Sequence, residues 1–268
     1  MVSDNFEGVN YKWTGRKMNE GFLRFHITDH YIEELHQLDD ITTKELYISG
    51  VTQKSLEYFV EYYAQRFPVL CFTACNTVKD FACLESLENI EYLIIEWNTK
   101  IEKLWNMNYN HNLRGIRLED CKKVKSFEEI VNAPHLEELV LQESVNSMLG
   151  SNKWIINSLH DISTISQLKR LGLIISGVKD SSIESLLNMK QLEMLHIITS
   201  LFSFEDFARL NAVLKQTEIQ PNKPFYFGTT NDDNVLVIGK NRSIKRNSPK
   251  LAEYQKKWDS IISKYETE

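Results

Sequence analysis

The sequence predicts an α/β solenoid: a curved parallel sheet on one side, mixed helix and turn on the other, and a non-repeat cap at each end. Three observations predict it. Residues 113–127 (LRGIRLEDCKKVKSF) place Leu113, Ile116, Leu118, Cys121, Val124 and Phe127 at gaps of three, two, three, three and three. Those gaps match neither the alternation of a strand nor the beat of an amphipathic helix. The same skeleton recurs along the chain with a spacing of 23–24 residues. The segments before and after the recurring region carry ordinary strand, helix and hairpin patterns instead.

The elements follow in chain order. Residues 1–40 form the N-terminal cap: Leu23, Phe25 and Ile27 alternate with Arg24 and His26, as in a half-buried strand, and the helical-looking YIEELHQL follows. Residues 41–202 hold about seven copies of the skeleton. The residues that open each apolar-x-apolar core are Leu46, Leu70, Leu93, Ile116, Leu139, Leu171 and Leu195, at intervals of 24, 23, 23, 23, 32 and 24. Two copies repeat the full skeleton, as Phe67-Leu70-Phe72-Cys75-Val78-Phe81 and Ile90-Leu93-Ile95-Asn98-Ile101-Leu104. The first copy, with Leu46, Ile48 and Val51, is weaker.

This pattern resembles that of the leucine-rich repeat family, L-x-x-L-x-L-x-x-N/C-x-L at 20–29 residues per copy. The resemblance covers about 60% of the chain. It implies a horseshoe in which both apolar residues of each short strand point inward while their neighbours face solvent. A small polar residue then turns in to satisfy backbone groups freed at the strand exit. No copy closes its own core, so the copies stack. The inward polar position reads Val51, Cys75, Asn98, Cys121, Ser144, Ser176 and Ser200. Val51 cannot hydrogen-bond, which suits an irregular capping copy.

On the convex side, 53–67 and 179–191 read as helices, and the 23-residue copies leave room for only a turn or two. The 32-residue interval holds an insertion, 144–164, with a loop at Gly150-Ser151-Asn152 and a large anchor, Trp154, expected to pack over the neighbouring convex surface. Residues 203–268 form the C-terminal cap. It has a helix striped by Phe204, Phe207, Leu210 and Leu214, a hairpin of 224–228 and 235–239, and a last helix opened by Ser248-Pro249. That helix carries Leu251, Tyr254, Trp258, Ile261 and Tyr265 on one face, expected to dock on the chain's own core.

Composition narrows the function. At 42% hydrophobic and 25% charged, the 268 residues can bury a substantial core. A formal charge of −6 speaks against nucleic acid; residues 240–257 carry +6 of their own and read as solvated surface. The N-terminal residues lack the basic start and apolar run of a signal peptide, and no stretch is long enough to span a bilayer, so a cytoplasmic protein is expected. Cys71, Cys75, Cys83 and Cys121 are then expected to be thiols. None of the seven histidines has HExxH spacing or a zinc-like cysteine pair beside it, and no nucleophile elbow or phosphate loop is present. No catalytic residue, metal or cofactor is expected.

What the resemblance implies is protein binding on the concave sheet. The repeat register places Glu96, Trp97, Arg117, Glu119, Asp120, Gln142 and Glu143 there as an acidic patch, and Ile174, His196 and Ile198 beside it as an apolar one. Apolar groups next to same-sign charge suit recognition of a basic protein partner. The expectation is a monomeric, non-catalytic interaction module with no nucleic-acid or membrane partner, one version being an inhibitor of the immunity type. Two alternatives are a subunit that self-associates through the isoleucines or the Trp258 helix, and the recognition part of an enzyme with its site in 203–268.

Overall fold

The computed structural model describes residues 23–26, 35–36, 38–227, 233–239 and 242–266. Its strands are β1 (Leu23–His26), β2 (Glu45–Ser49), β3 (Val69–Thr73), β4 (Tyr92–Glu96), β5 (Gly115–Glu119), β6 (Glu138–Gln142) and β7 (Ile155–Ile156). They continue as β8 (Arg170–Ile174), β9 (Gly177–Val178), β10 (Met194–Ile197), β11 (Glu218–Gln220), β12 (Phe225–Phe227), β13 (Asn234–Val237) and β14 (Arg242–Lys245). The helices are α1 (Gln53–Tyr62), α2 (Val145–Leu149), α3 (His160–Ser163), α4 (Glu184–Leu187), α5 (Phe204–Val213) and α6 (Lys250–Glu266).

Among the described residues, nine strands form one parallel sheet in the order β1-β2-β3-β4-β5-β6-β8-β10-β11. The seven core-opening residues stand side by side: Leu46, Leu70, Leu93, Ile116, Leu139, Leu171 and Leu195 are consecutive partners in the register. All are essentially buried. The fold is therefore an α/β leucine-rich repeat solenoid. Leu23 and Ile219 continue the same row at its two ends, so each cap adds a strand to the sheet. The strand β11 escapes sequence reading because three residues with one apolar side chain show no period.

The convex side varies as expected, with differences of length. A capping box of Thr52 and Ser55 opens α1, which buries Leu56, Phe59 and Val60. The 23-residue copies cross with 3-10 turns at Ala82–Ser86 and Glu128–Asn132. Between them the chain is irregular, and Asn110 stands in for a turn: its amide donates to the carbonyls of Leu84 and Leu87, and it accepts from the Trp105 indole, all at 2.9 Å. Within 179–191 only the single turn α4 is helical, because the chain must return to the sheet at Met194.

The inward polar ladder holds in its middle. Asn98 is fully buried and makes four bonds, donating to the carbonyls of Cys75 and Val78 and accepting from the N–H groups of Lys100 and Ile101. The Cys75 and Cys121 thiols make weaker bonds to backbone carbonyls. The ladder then departs from expectation. Ser144 caps α2 by accepting from the Ser147 N–H, and Ser176 is exposed while Ile175 is buried in its place. Trp154 behaves as expected: it is fully buried and donates its indole N–H to the Val124 carbonyl at 2.8 Å.

At the C-terminal end, α6 packs on α5, with Trp258 edge-on to Phe204 at 5.6 Å. The β12–β13 hairpin forms as read, with β14 as an unforeseen third strand. Gly239, at φ +69°, lets the end of β13 approach the start of α5, where a Cβ would lie 2.3 Å from the Phe204 nitrogen. Its N–H donates to the Thr199 carbonyl of the solenoid at 2.7 Å. The YIEELHQL segment lies mostly outside the described residues, of which Leu35 and His36 are in a 3-10 turn.

Candidate partner-binding face

Residues that alternate with the buried row face the concave side. Two of these rows follow the register expected from the sequence. One runs Tyr47, Cys71, Ile94, Arg117, Val140, Gly172 and His196; the other runs Ser49, Thr73, Glu96, Glu119, Gln142 and Ile174. A third row was missed: Glu45, Val69, Tyr92, Gly115, Glu138, Arg170 and Met194, one residue before each core opener. Strand alternation alone carries its signal, since it lies two residues from the first row.

At the strand exit the backbone turns through left-handed conformations at Gly50, Ala74, Trp97 and Asp120, with φ between 53° and 73°. The turn points the N–H of Ala74, Trp97 and Asp120 at the last carbonyl of the next strand, at 3.0, 2.8 and 2.9 Å. Holding an ordinary side chain there costs about 1–2 kcal/mol relative to glycine. The Trp97 ring nevertheless stands 47% exposed on this rim.

Next to it lies a crowded carboxylate cluster. Arg117 Nη2 pairs with Glu119 Oε2 at 2.5 Å, and the Tyr47 hydroxyl donates to Glu96 Oε2 at 3.2 Å. Burial pushes the Glu119 carboxyl above its usual range; Arg117 pulls it back, and the nearby charges of Glu96 and Asp120 push it up again. Arg117, paired with Glu119, is thus one cation beside the three carboxylates of Glu96, Glu119 and Asp120. The cluster is therefore a negative site with an exposed aromatic at its edge.

The structure redistributes the remaining expected site residues. Glu143 does not face a partner: its side chain is 0% exposed, pairs with Lys122 Nζ at 3.1 Å and accepts from the Trp154 N–H at 3.1 Å. It is occupied in holding the insertion. Asp120 is 9% exposed and accepts from the Ser144 N–H at 3.2 Å, so it too helps seat α2. Ile174 and His196, expected to stand open, are 4% and 5% exposed, while Gln142, Ile198 and Met194 are half-buried. The inner face is crowded because long side chains lie across neighbouring strands. A Cβ on Gly115 would stand 2.5 Å from the Tyr92 ring, and Arg170 reaches Glu138 at 3.2 Å. Burial holds His196 neutral, its pKa lowered to about 4.

All four cysteines are free thiols; burial pushes Cys75, Cys83 and Cys121 up to about 12 and raises Cys71 as well. Among the described residues, no group of three or more His, Cys, Asp or Glu is placed to hold a metal ion. No described helix is long and apolar enough to cross a membrane.

No family model and no curated protein matches the chain. Several solved structures resemble it. An internalin (inlF) from Listeria monocytogenes is 13% identical over 69% of this chain and 48% of its own, with a TM-score of 0.44. An internalin C2 (inlC2) from the same species is 15% identical over 63% and 66%, at 0.40. A leucine-rich repeat protein from Leptospira interrogans is 15% identical over 66% and 47%, at 0.42. The chain thus spans between about half and two thirds of the length of these proteins. In fold the chain is a leucine-rich repeat protein, as its own strand register shows.

Proposed function

We propose that the chain is a non-catalytic protein-binding module that holds a basic partner on the strand-exit half of its concave face. The observation that carries this reading is Trp97. A large aromatic sits in left-handed backbone, where glycine is preferred, and stays 47% exposed. Its side chain contributes little to the core, so its placement supports a role in recognition. Tryptophan is also the residue most enriched among binding anchors.

The surrounding charge supports the choice of partner. Glu96, Glu119 and Asp120 outnumber Arg117, and burial and mutual repulsion already raise Glu119. A cation brought by a partner relieves that repulsion, and long-range attraction speeds encounter. The site so proposed comprises Trp97, Glu96, Arg117 and Glu119, with Asp120 and Gln142 at its margin. Glu119 and Asp120, 8% and 9% exposed, act there through their charge. Ile174 and His196 are buried and uncharged and Glu143 is paired with Lys122, so these three are left out.

Affinity capture from a lysate of the source organism tests this reading, comparing wild type with Trp97→Ala and with Glu96→Lys. The expected result is a basic protein retained by wild type, lost from both variants, and released at high salt. Equal capture by all three proteins would refute it.

A further inference from the structure

The convex side of the early copies carries a groove of about 650 Å³ that no expectation from the sequence covers. It forms where the crossing segments change type, since α1 is a full α-helix and the next copy crosses with the narrower 3-10 turn Ala82–Ser86. Val60 and Cys83 give it an apolar floor. Glu57, Glu61, Glu85 and Glu88 line it, together with Tyr109, which is 55% exposed.

Among the described residues, none of these four carboxylates has an ion-pair partner. The bonds they accept come from neutral groups, as from the Gln53 amide to Glu57 at 2.9 Å and the Asn106 amide to Glu85 at 3.4 Å. We propose that this groove is a second binding site, which seats a lysine- or arginine-bearing amphipathic segment of a protein partner. The apolar stem of such a side chain covers the floor while its charged head stays among the carboxylates. Tyr109 offers a ring face to the cation. A free carboxylate or phosphate would be repelled, so charge complementarity selects a basic segment. The groove lies on the opposite side of the sheet from Trp97, so this inference stands or falls apart from the concave reading.

The test uses the full chain and a fluorescein-labelled octapeptide, Ala-Arg-Leu-Arg-Ala-Leu-Arg-Ala, with a control in which glutamate replaces arginine. Binding is read by anisotropy at about 50 and about 500 mM salt. The basic peptide is expected to bind wild type and to weaken in high salt. Tyr109→Ala, which leaves net charge unchanged, is expected to weaken it about fivefold. Glu61→Gln with Glu85→Gln is expected to weaken it at least about tenfold. Glu253→Gln with Glu266→Gln, a charge-matched change on exposed residues of α6 outside both sites, is expected to change it by less than about twofold. The groove variants are also compared in a Trp97→Ala/Glu96→Gln background, so that any peptide held on the concave face is removed from the comparison. Each variant is checked for an unchanged thermal transition. The inference is overturned if the basic peptide fails to bind, if the acidic control binds equally, or if the groove variants bind like wild type. Loss confined to the Trp97 variant would also overturn it, leaving the concave site as the one that binds cations.

Discussion

Glu143 offers the sharpest check on the structure, because its sequence position suggests a binding residue and its surroundings give it a structural task. Its carboxylate is fully buried and lies 3.1 Å from Lys122 Nζ, itself 12% exposed. At an effective dielectric of about 20 the attraction is roughly 5 kcal/mol, much of it offset by desolvation. The same Oε1 accepts from the buried Trp154 N–H, and Lys122 also donates to the carbonyls of Ser147 and Asn152. The pair thus ties both ends of the insertion loop to the solenoid. Removing one member of a buried pair costs about 3–5 kcal/mol. The low end applies to Glu143→Ala, because Lys122 keeps its two carbonyls; about 3 kcal/mol is expected in urea unfolding. Hydrogen exchange is expected to rise across 145–158, and Glu143→Gln, which can still accept from Trp154, is expected to lose less. Pairing Lys122→Met with Glu143→Leu should recover part of the loss. A cost for Glu143→Ala below about 1 kcal/mol, with exchange in the insertion unchanged, would refute this assignment.

Two other predictions concern the core and the pH response. Asn98→Ala strands two carbonyls and two N–H groups in a buried turn, and is expected to cost about 3 kcal/mol or more in chemical denaturation, with Asn98→Cys milder, as Cys75 and Cys121 show that a thiol is accommodated there. His196 has a folded pKa lowered to about 4 from 6.5, so between those values the unfolded chain binds a proton that the folded chain does not. The stability it contributes is therefore full above pH 6.5 and falls as pH drops toward 4. About 2 kcal/mol should be lost by about pH 5. Glu119 works in the opposite sense, since its raised pKa makes the folded state less stable above the ordinary carboxylate range. Urea midpoints across this range are expected to flatten in His196→Gln and to fall more steeply with acid in Glu119→Gln; an unchanged slope in the first would refute the assignment.

The sequence by itself determined the repeat phase and, with it, the fold. Leu46, Leu70, Leu93, Ile116, Leu139, Leu171 and Leu195 are legible as one row because the inward direction of a strand residue is a local property of alternation, repeated at a fixed interval. Trp154 and Trp258 were legible for a similar reason: a large apolar group at the right spacing has few places to go but inward. Exposure was a different matter. Whether Ile174 is open depends on side chains from neighbouring copies, which lie more than twenty residues away in the chain. Whether Glu143 meets solvent depends on Lys122 from the preceding copy and on an insertion that folds back to place Trp154 against it. The glutamate-lined groove exists only because an α-helix and a 3-10 turn of different widths lie side by side. The tertiary structure alone decided these, because burial and charge pairing are set by what neighbouring copies bring to a position, whereas the pleat that points a residue inward is set by the strand itself.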